Sequence, residues 1–284
     1  MSRTGLLVED GRASRFFRKP TREKIAALAA TAKHVLHLKR VAEAGSGLIG
    51  HRLAVPRVVQ GAAPFYMAIR PDADLVFHAL PELAALARLW TQGNKAPNAA
   101  DLPRLYMLAL NVRAVLAEGV TGEFAELGVY RGNSAAVLAH YARGVGRRLS
   151  LFDTFEGFDV RDLIGVDQRA PREFADTSLE AVRPLVGDEG VRYLPGRFPD
   201  SFPADMAETR FSVVHLDCDL YEPIRAGMQT FFPCLSPGGL MIVHDYGNPC
   251  WPGVKLAVDE YLRDRAERPV IMPDKCGTAL IRKT

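Results

Sequence analysis

The chain has no C-x-x-C pair, and only four cysteines (Cys218, Cys234, Cys250 and Cys276) are spread over its 284 residues. That argues against a zinc ribbon or a thioredoxin-type centre. So few cysteines in so long a chain do not suggest a disulfide scaffold either. No apolar run approaches the roughly 18–20 residues that a membrane helix needs. The opening MSRTGLLVEDGR has only Leu6 to Val8 before charges resume, which is short of the apolar core of a signal peptide. A cytoplasmic location is the expectation. Nor is there a large excess of charge: the net value of +3 gives no reason to expect a nucleic-acid partner, and nothing points to a membrane.

Hydrophobic residues make up 48% and charged residues 24%, ordinary proportions for a globular protein. At about 150 residues per domain the length allows one large domain or two modest ones. The charge is unevenly placed. Residues 1–60 hold 12 of the 36 Lys and Arg but only four of the 33 Asp and Glu. That gives +8 there and −5 over the rest, and marks the N-terminal segment as different in kind.

Residues 21–41 have helical spacing, and Gly45, Gly47 and Gly50 break it. Prolines 56, 64, 71, 81 and 97 interrupt the next stretch, and Asp101 can cap a helix over 102–118. From residue 123 the rhythm changes. Short apolar runs at 123–127, 149–152, 191–194, 211–216 and 239–243 alternate with helical patterns at 133–143, 178–185, 223–235 and 254–263. Late strands are expected at 270–272 and 279–282, joined closely enough for an antiparallel hairpin. Such alternation implies a mostly parallel sheet covered on both faces. The domain boundary is placed near residue 100, with residues 1–99 as a basic, helical extension.

Glu126-Leu-Gly128-Val-Tyr130-Arg-Gly132 lies between the first strand and its helix. Its spacing is neither the G-x-G-x-x-G dinucleotide fingerprint nor a Walker phosphate loop. A carboxylate at Glu126 would repel a pyrophosphate but suits an ammonium or a ribose hydroxyl. The second strand ends in Asp153, where open α/β sheets place a ribose-binding acid. The plain alternative is a chance glycine turn with Asp153 as a strand-end cap.

A second acidic cluster follows. One strand runs into Asp217-Cys218-Asp219 and the next into His244-Asp245. As parallel neighbours their ends lie about 4.8 Å apart, so Asp217 and Asp245 converge at the carboxyl edge. Two carboxylates that close need a cation or a proton between them, and oxygen ligands suit Mg²⁺, with Mn²⁺ as a substitute. His244 and Asp245 face opposite sides for as long as strand geometry holds. Asp245 is therefore favoured as the ligand. His244 is left as a third ligand, a general base or a packed residue.

The blocks GEFAELGVYRGNSA, LFDTFEGF, PGRFPDSFP, HLDCDLYEP, LSPGGLMIVHDYG and PGVKLAVDEY, in this order over residues 100–284, resemble the macrocin O-methyltransferase family. Its members are class I enzymes, dependent on S-adenosylmethionine and Mg²⁺, that methylate sugar hydroxyls. The resemblance implies a Rossmann-like α/β fold: a seven-stranded sheet with helices on both faces and an antiparallel final strand. It implies that Glu126, Gly128 and Tyr130 surround the methionine end of the cofactor and that Asp153 binds the ribose hydroxyls. Gly196, Arg197 and Phe198 would lie near the adenine, and Asp217 and Asp245 would hold the metal. The family often carries two adjacent acids where this chain has His244-Asp245.

The expected activity is methylation of a hydroxyl on a sugar-bearing or polyhydroxylated small molecule. Asp217 and His244 are the candidate catalytic residues, and Asp217, His244 and Asp245 the candidate metal ligands. Residues 1–99 would shape an acceptor lid or a contact within a homo-oligomer. The competing readings are a nucleotide-dependent oxidoreductase, disfavoured by the missing fingerprint and by Glu126, and a non-catalytic cofactor-binding subunit, disfavoured by the intact acids.

Overall fold

The computed structural model describes residues 80–171 and 173–284, all within one compact unit. The expected helix at 21–41 and the basic residues 1–60 lie outside the described residues. Seven strands form one sheet: β1 Glu123–Leu127, β2 Leu149–Asp153, β3 Val191–Pro195, β4 Phe211–Leu216, β5 Leu235–Val243, β6 Val270–Ile271 and β7 Ala279–Arg282. Their order across the sheet is β3-β2-β1-β4-β5-β7-β6. Strands β1 to β5 run parallel, and β7 is antiparallel to both β5 and β6.

Strand alternation sorts the core into two faces. Phe124, Leu149, Leu151, Val213 and Ile242 point to one side, where they meet helices α1 (Leu83–Thr91), α3 (Leu102–Ala117), α4 (Asn133–Gly144) and α5 (Leu179–Val186). Ala125, Leu127, Phe152, Val214, Leu216 and Val243 point to the other, against α6 (Tyr221–Phe231) and α7 (Pro252–Leu262). A short helix, α2 (Ala96–Ala99), leads into α3. Local chemistry sets several starts. Asp101 accepts from the Arg104 amide and Ser178 from the Ala181 amide, each satisfying an otherwise orphaned first-turn N–H. Pro103 and Pro252 sit where a missing N–H costs nothing.

Three boundaries differ from the sequence reading. Leu83, Leu86 and Trp90 of α1 are buried in the same core as α3 and α4. Residues 83–99, assigned by sequence to the extension, therefore build part of the domain. The helix expected over 223–235 runs from Tyr221 to Phe231, and β5 already begins at Leu235. Pro233 cannot continue the helix. Ser236 to Gly239 is absorbed as an irregularity inside β5, where the pairing with β4 jumps from Phe211↔Leu235 to Val213↔Leu240. No helix among the described residues is long and apolar enough to cross a membrane.

Candidate active site

The carboxyl ends of β1, β2, β4 and β5 open into a cavity of about 570 Å³, a size typical of small-molecule sites. Its floor is the loop after β1. Gly128 and Gly132 have φ of +87° and +83°, and Tyr130 follows them into the left-handed region at +50°. A Cβ at Gly128 would collide with the backbone of Asp217. Only glycine therefore lets the end of β1 lie against the end of β4, where the Asp217 amide donates to the Leu127 carbonyl at 2.8 Å.

Asp153 fixes the shape of this loop. Its Oδ2 accepts from the amides of Val129 (2.6 Å) and Tyr130 (2.9 Å), and its Oδ1 from that of Phe155 (2.7 Å). A carboxylate offers about four acceptor positions; these amides use three, and the Thr154 hydroxyl, 3.4 Å from Oδ1, gives its single proton to the closer Gly157 carbonyl at 2.5 Å. The expectation that Asp153 accepts from both ribose hydroxyls is thus narrowed to one free position. Asp153→Ala is expected to weaken S-adenosylmethionine binding by about 1.5–3 kcal/mol, the scale of a hydrogen bond to a charged group. Calorimetry on the folded variant checks this, and unchanged affinity would remove Asp153 from the cofactor site.

Gly196 and Arg197 also line the cavity. The Arg197 guanidinium is held by Asp162 through Nε at 3.0 Å and Nη2 at 2.6 Å. Phe198 reaches the cavity wall but is 3% exposed, edge-on to Phe152 and stacked on Phe231, so most of its ring belongs to the core. An aromatic chain lines another wall. Tyr130 meets Phe174 edge-on at 5.1 Å, Phe174 meets Phe158 at 5.2 Å, and Phe158 meets Trp251 at 5.6 Å.

Glu126 does not line the cavity. It lies on the same strand face as Phe124, fully buried, directly beside His215 in the β1–β4 register. Glu126 Oε1 is 2.7 Å from His215 Nδ1, and His215 Nε2 is 3.3 Å from Arg104 Nη2. Arginine can only donate, so His215 accepts at Nε2 and donates from Nδ1 to Glu126. The same Arg104 Nη2 donates to Asp217 Oδ2 at 2.5 Å. Strand alternation turns Glu126 away from the cavity and makes it the buried end of a chain that leads to Asp217.

Asp217, His244 and Asp245 do come together. The extended strand ends at Val243, and Asp245 takes φ +59°. This turn cancels the opposite facing that strand geometry would impose. His244 Nδ1 lies 2.8 Å from Asp217 Oδ1 and 2.5 Å from Asp245 Oδ2. Burial would raise the Asp217 carboxyl, but Arg104 and His244 hold it well below the usual carboxylate range. Burial and Arg104 would lower His244, but Asp217 and Asp245 hold its imidazole well above its usual range. Asp219 sits beside them with φ +62°, its carboxyl pushed well up by burial and by Asp245 and Asp217.

Arg104, His215 and Cys276 were not singled out by sequence. The only hints were a lone cation in the apolar run LPRLYMLAL and a lone imidazole in FSVVHL.

Comparison with known proteins gives a consistent result. The model of the macrocin-O-methyltransferase (TylF) family matches residues 93–282. The 8-demethyl-8-(2,3-dimethoxy-alpha-L-rhamnosyl)-tetracenomycin-C 4'-O-methyltransferase of Streptomyces olivaceus is 36% identical over 196 residues, 62% of this chain and 69% of that protein. The mycinamicin III 3''-O-methyltransferase of Micromonospora griseorubida is 31% identical over 221 residues, 69% of this chain and 84% of that protein. The solved structure of the O-methyltransferase NovP superposes with a TM-score of 0.62 at 24% identity, covering 72% of this chain and 98% of that one. That likeness shows the fold.

Proposed function

From the premise that the chain belongs to the macrocin O-methyltransferase family and is an S-adenosylmethionine-dependent O-methyltransferase, we propose that it methylates a hydroxyl of a sugar carried by a small natural product. We also assign a divalent cation to Asp217, His244 and Asp245. The observation that carries this reading is the convergence of those three side chains beside the glycine loop, inside one cavity with an aromatic wall. One matched relative is named for methylating a rhamnosyl-bearing tetracenomycin.

The residues fit a cation. His244 Nδ1 is buried and within 2.8 Å of two carboxylate oxygens, yet makes no hydrogen bond. Nδ1 and the two carboxylate oxygens are close enough together to share one cation. A cation bound there would lower the pKa of a coordinated hydroxyl and orient it. S-adenosylmethionine supplies an already activated methyl group, so the task left to the protein is mainly alignment.

Gly128 and Asp153 would hold the cofactor by backbone approach and by the one free acceptor position. The aromatic chain from Tyr130 to Trp251 offers apolar faces to the acceptor. Asp217 is the most exposed of the three convergent side chains, at 19% against 9% for His244 and 5% for Asp245. We assign it to accept the hydroxyl proton. As the oxygen forms its new bond it gains positive charge and its proton becomes strongly acidic, so even a carboxylate held low can take it. His244, whose coordinating nitrogen would have to be free of a proton, serves as a ligand and is not the base.

The test is turnover with labelled S-adenosylmethionine on glycosylated acceptors and their sugar-free counterparts, with the label located by fragmentation. Label confined to the sugar supports the reading, and label on the sugar-free portion overturns it. Prior treatment with chelator is expected to abolish activity and added divalent cation to restore it. Full activity in metal-free protein would remove the cation and leave Asp217 acting alone.

A further inference from the structure

The loops around the three convergent side chains deliver one more donor to them. Cys276 lies between β6 and β7, lines the cavity and is 8% exposed. Its Sγ, a ring nitrogen of His244 and a carboxylate oxygen of Asp245 all lie within 4.8 Å of one another, and all three residues are buried. Two glycines make this approach possible. The Gly247 amide donates to the Gly277 carbonyl at 3.0 Å, and a Cβ on Gly247 would meet the Gly277 Cα at 3.1 Å. The loop after β5 is thereby pressed onto the loop before β7. Asn248 ties the same corner, with its Nδ2 2.5 Å from Asp245 Oδ1 and 3.6 Å from Cys276 Sγ. The second sign is His244 itself, whose buried Nδ1 makes no hydrogen bond although carboxylate oxygens of Asp217 and Asp245 lie 2.8 and 2.5 Å away.

This donor set is not one that Mg²⁺ prefers. Mg²⁺ takes hard oxygen ligands in near-ideal octahedral geometry and keeps several waters. Imidazole nitrogen suits Zn²⁺ and its first-row neighbours, and thiolate sulfur is softer still. Here one imidazole and one thiol stand with the carboxylate of Asp245, and the same imidazole lies 2.8 Å from that of Asp217. We propose that this site selects a first-row transition-metal dication over Mg²⁺, with Cys276 as a thiolate ligand beside His244, Asp217 and Asp245. The inference rests on the cation reading above and adds the class of cation and a fourth ligand. On binding, the thiol gives up its proton to solvent, as a coordinated thiol does. The cation remains a Lewis acid for the acceptor hydroxyl.

The experiment uses the full chain stripped of metal by chelator, then titrated separately with Co²⁺ and Mg²⁺ and followed by absorbance and calorimetry. Co²⁺ is expected to give a near-ultraviolet sulfur-to-cobalt charge-transfer band and to bind at least about 10–100-fold more tightly than Mg²⁺. That is the scale on which even outer-shell partners change metal affinity. Cys276→Ser, with Cys276→Ala as a second variant, should abolish the band and weaken Co²⁺ by at least the same factor while leaving Mg²⁺ binding nearly unchanged. His244→Asp should narrow the preference by strengthening Mg²⁺ and weakening Co²⁺. A cobalt spectrum without the sulfur band, or Mg²⁺ bound as tightly as Co²⁺, overturns the inference and leaves a cation site in place. Failure of every divalent cation to bind would instead overturn the cation reading on which it depends.

Discussion

Asp217→Asn is expected to lower kcat by about 10²–10⁴-fold, the contribution typical of a positioned proton acceptor, while S-adenosylmethionine affinity stays within a few-fold of the parent. The two effects separate because the side chains do different work at different strand ends. The cofactor contacts assigned to Gly128 and Asp153 lie at the ends of β1 and β2, whereas Asp217 ends β4. The asparagine amide oxygen can still accept from Arg104, so the fold should survive. Single-turnover kinetics and calorimetry on the same preparation give both readouts. A kcat within tenfold of the parent would show that Asp217 does not handle the acceptor proton.

Arg104→Met should destabilise the protein by about 3–5 kcal/mol, the cost of removing one member of a buried ion pair. Burial disfavours the charged guanidinium, and the Asp217 carboxylate more than offsets that cost. Its Nη2 serves both the carboxylate of Asp217 and the ring of His215. Without it Asp217 loses its guanidinium partner, and His215 Nε2 loses its donor. Against a typical total of about 5–15 kcal/mol, the loss would be large. Urea unfolding followed by circular dichroism measures it. A loss below about 1 kcal/mol would mean that water or a shifted side chain replaces the guanidinium at no cost.

Much of the architecture was legible because it depends on local chemistry. The strands at 123–127, 211–216 and 279–282 fall where apolar, β-branched or aromatic runs are bounded by turn residues. The helix starts at Leu102 and Leu179 follow from Asp101 and Ser178, whose side chains cap their own first turns. Asp153, Asp217 and Asp245 could be placed at one edge because parallel strands bring their carboxyl ends together. The end of the helix after Asp219 was misplaced because a strand irregularity at Ser236 to Gly239 looks, in sequence, like a turn outside the strand.

Glu126 shows the limit most directly. Its type and its place before Gly128 pointed to the cofactor, but the side-chain direction is set by which strand face it occupies and by what covers that face. Only the packed structure supplies His215 and Arg104, which arrive from 89 positions later and 22 positions earlier in the chain. His244 and Asp245 show the same limit in reverse. Alternation predicted that they diverge, and a single left-handed residue, Asp245, makes them converge. The alternating α/β order, the glycine loop and the acids that end the strands are written in local patterns, because periodicity, turn chemistry and chain direction are local properties. Which side chains share the cavity, the pairing of Arg104 with Asp217 and the approach of Cys276 to His244 follow from packing alone. Those contacts join residues far apart in the chain, and their geometry is set by packing between elements that no local pattern encodes.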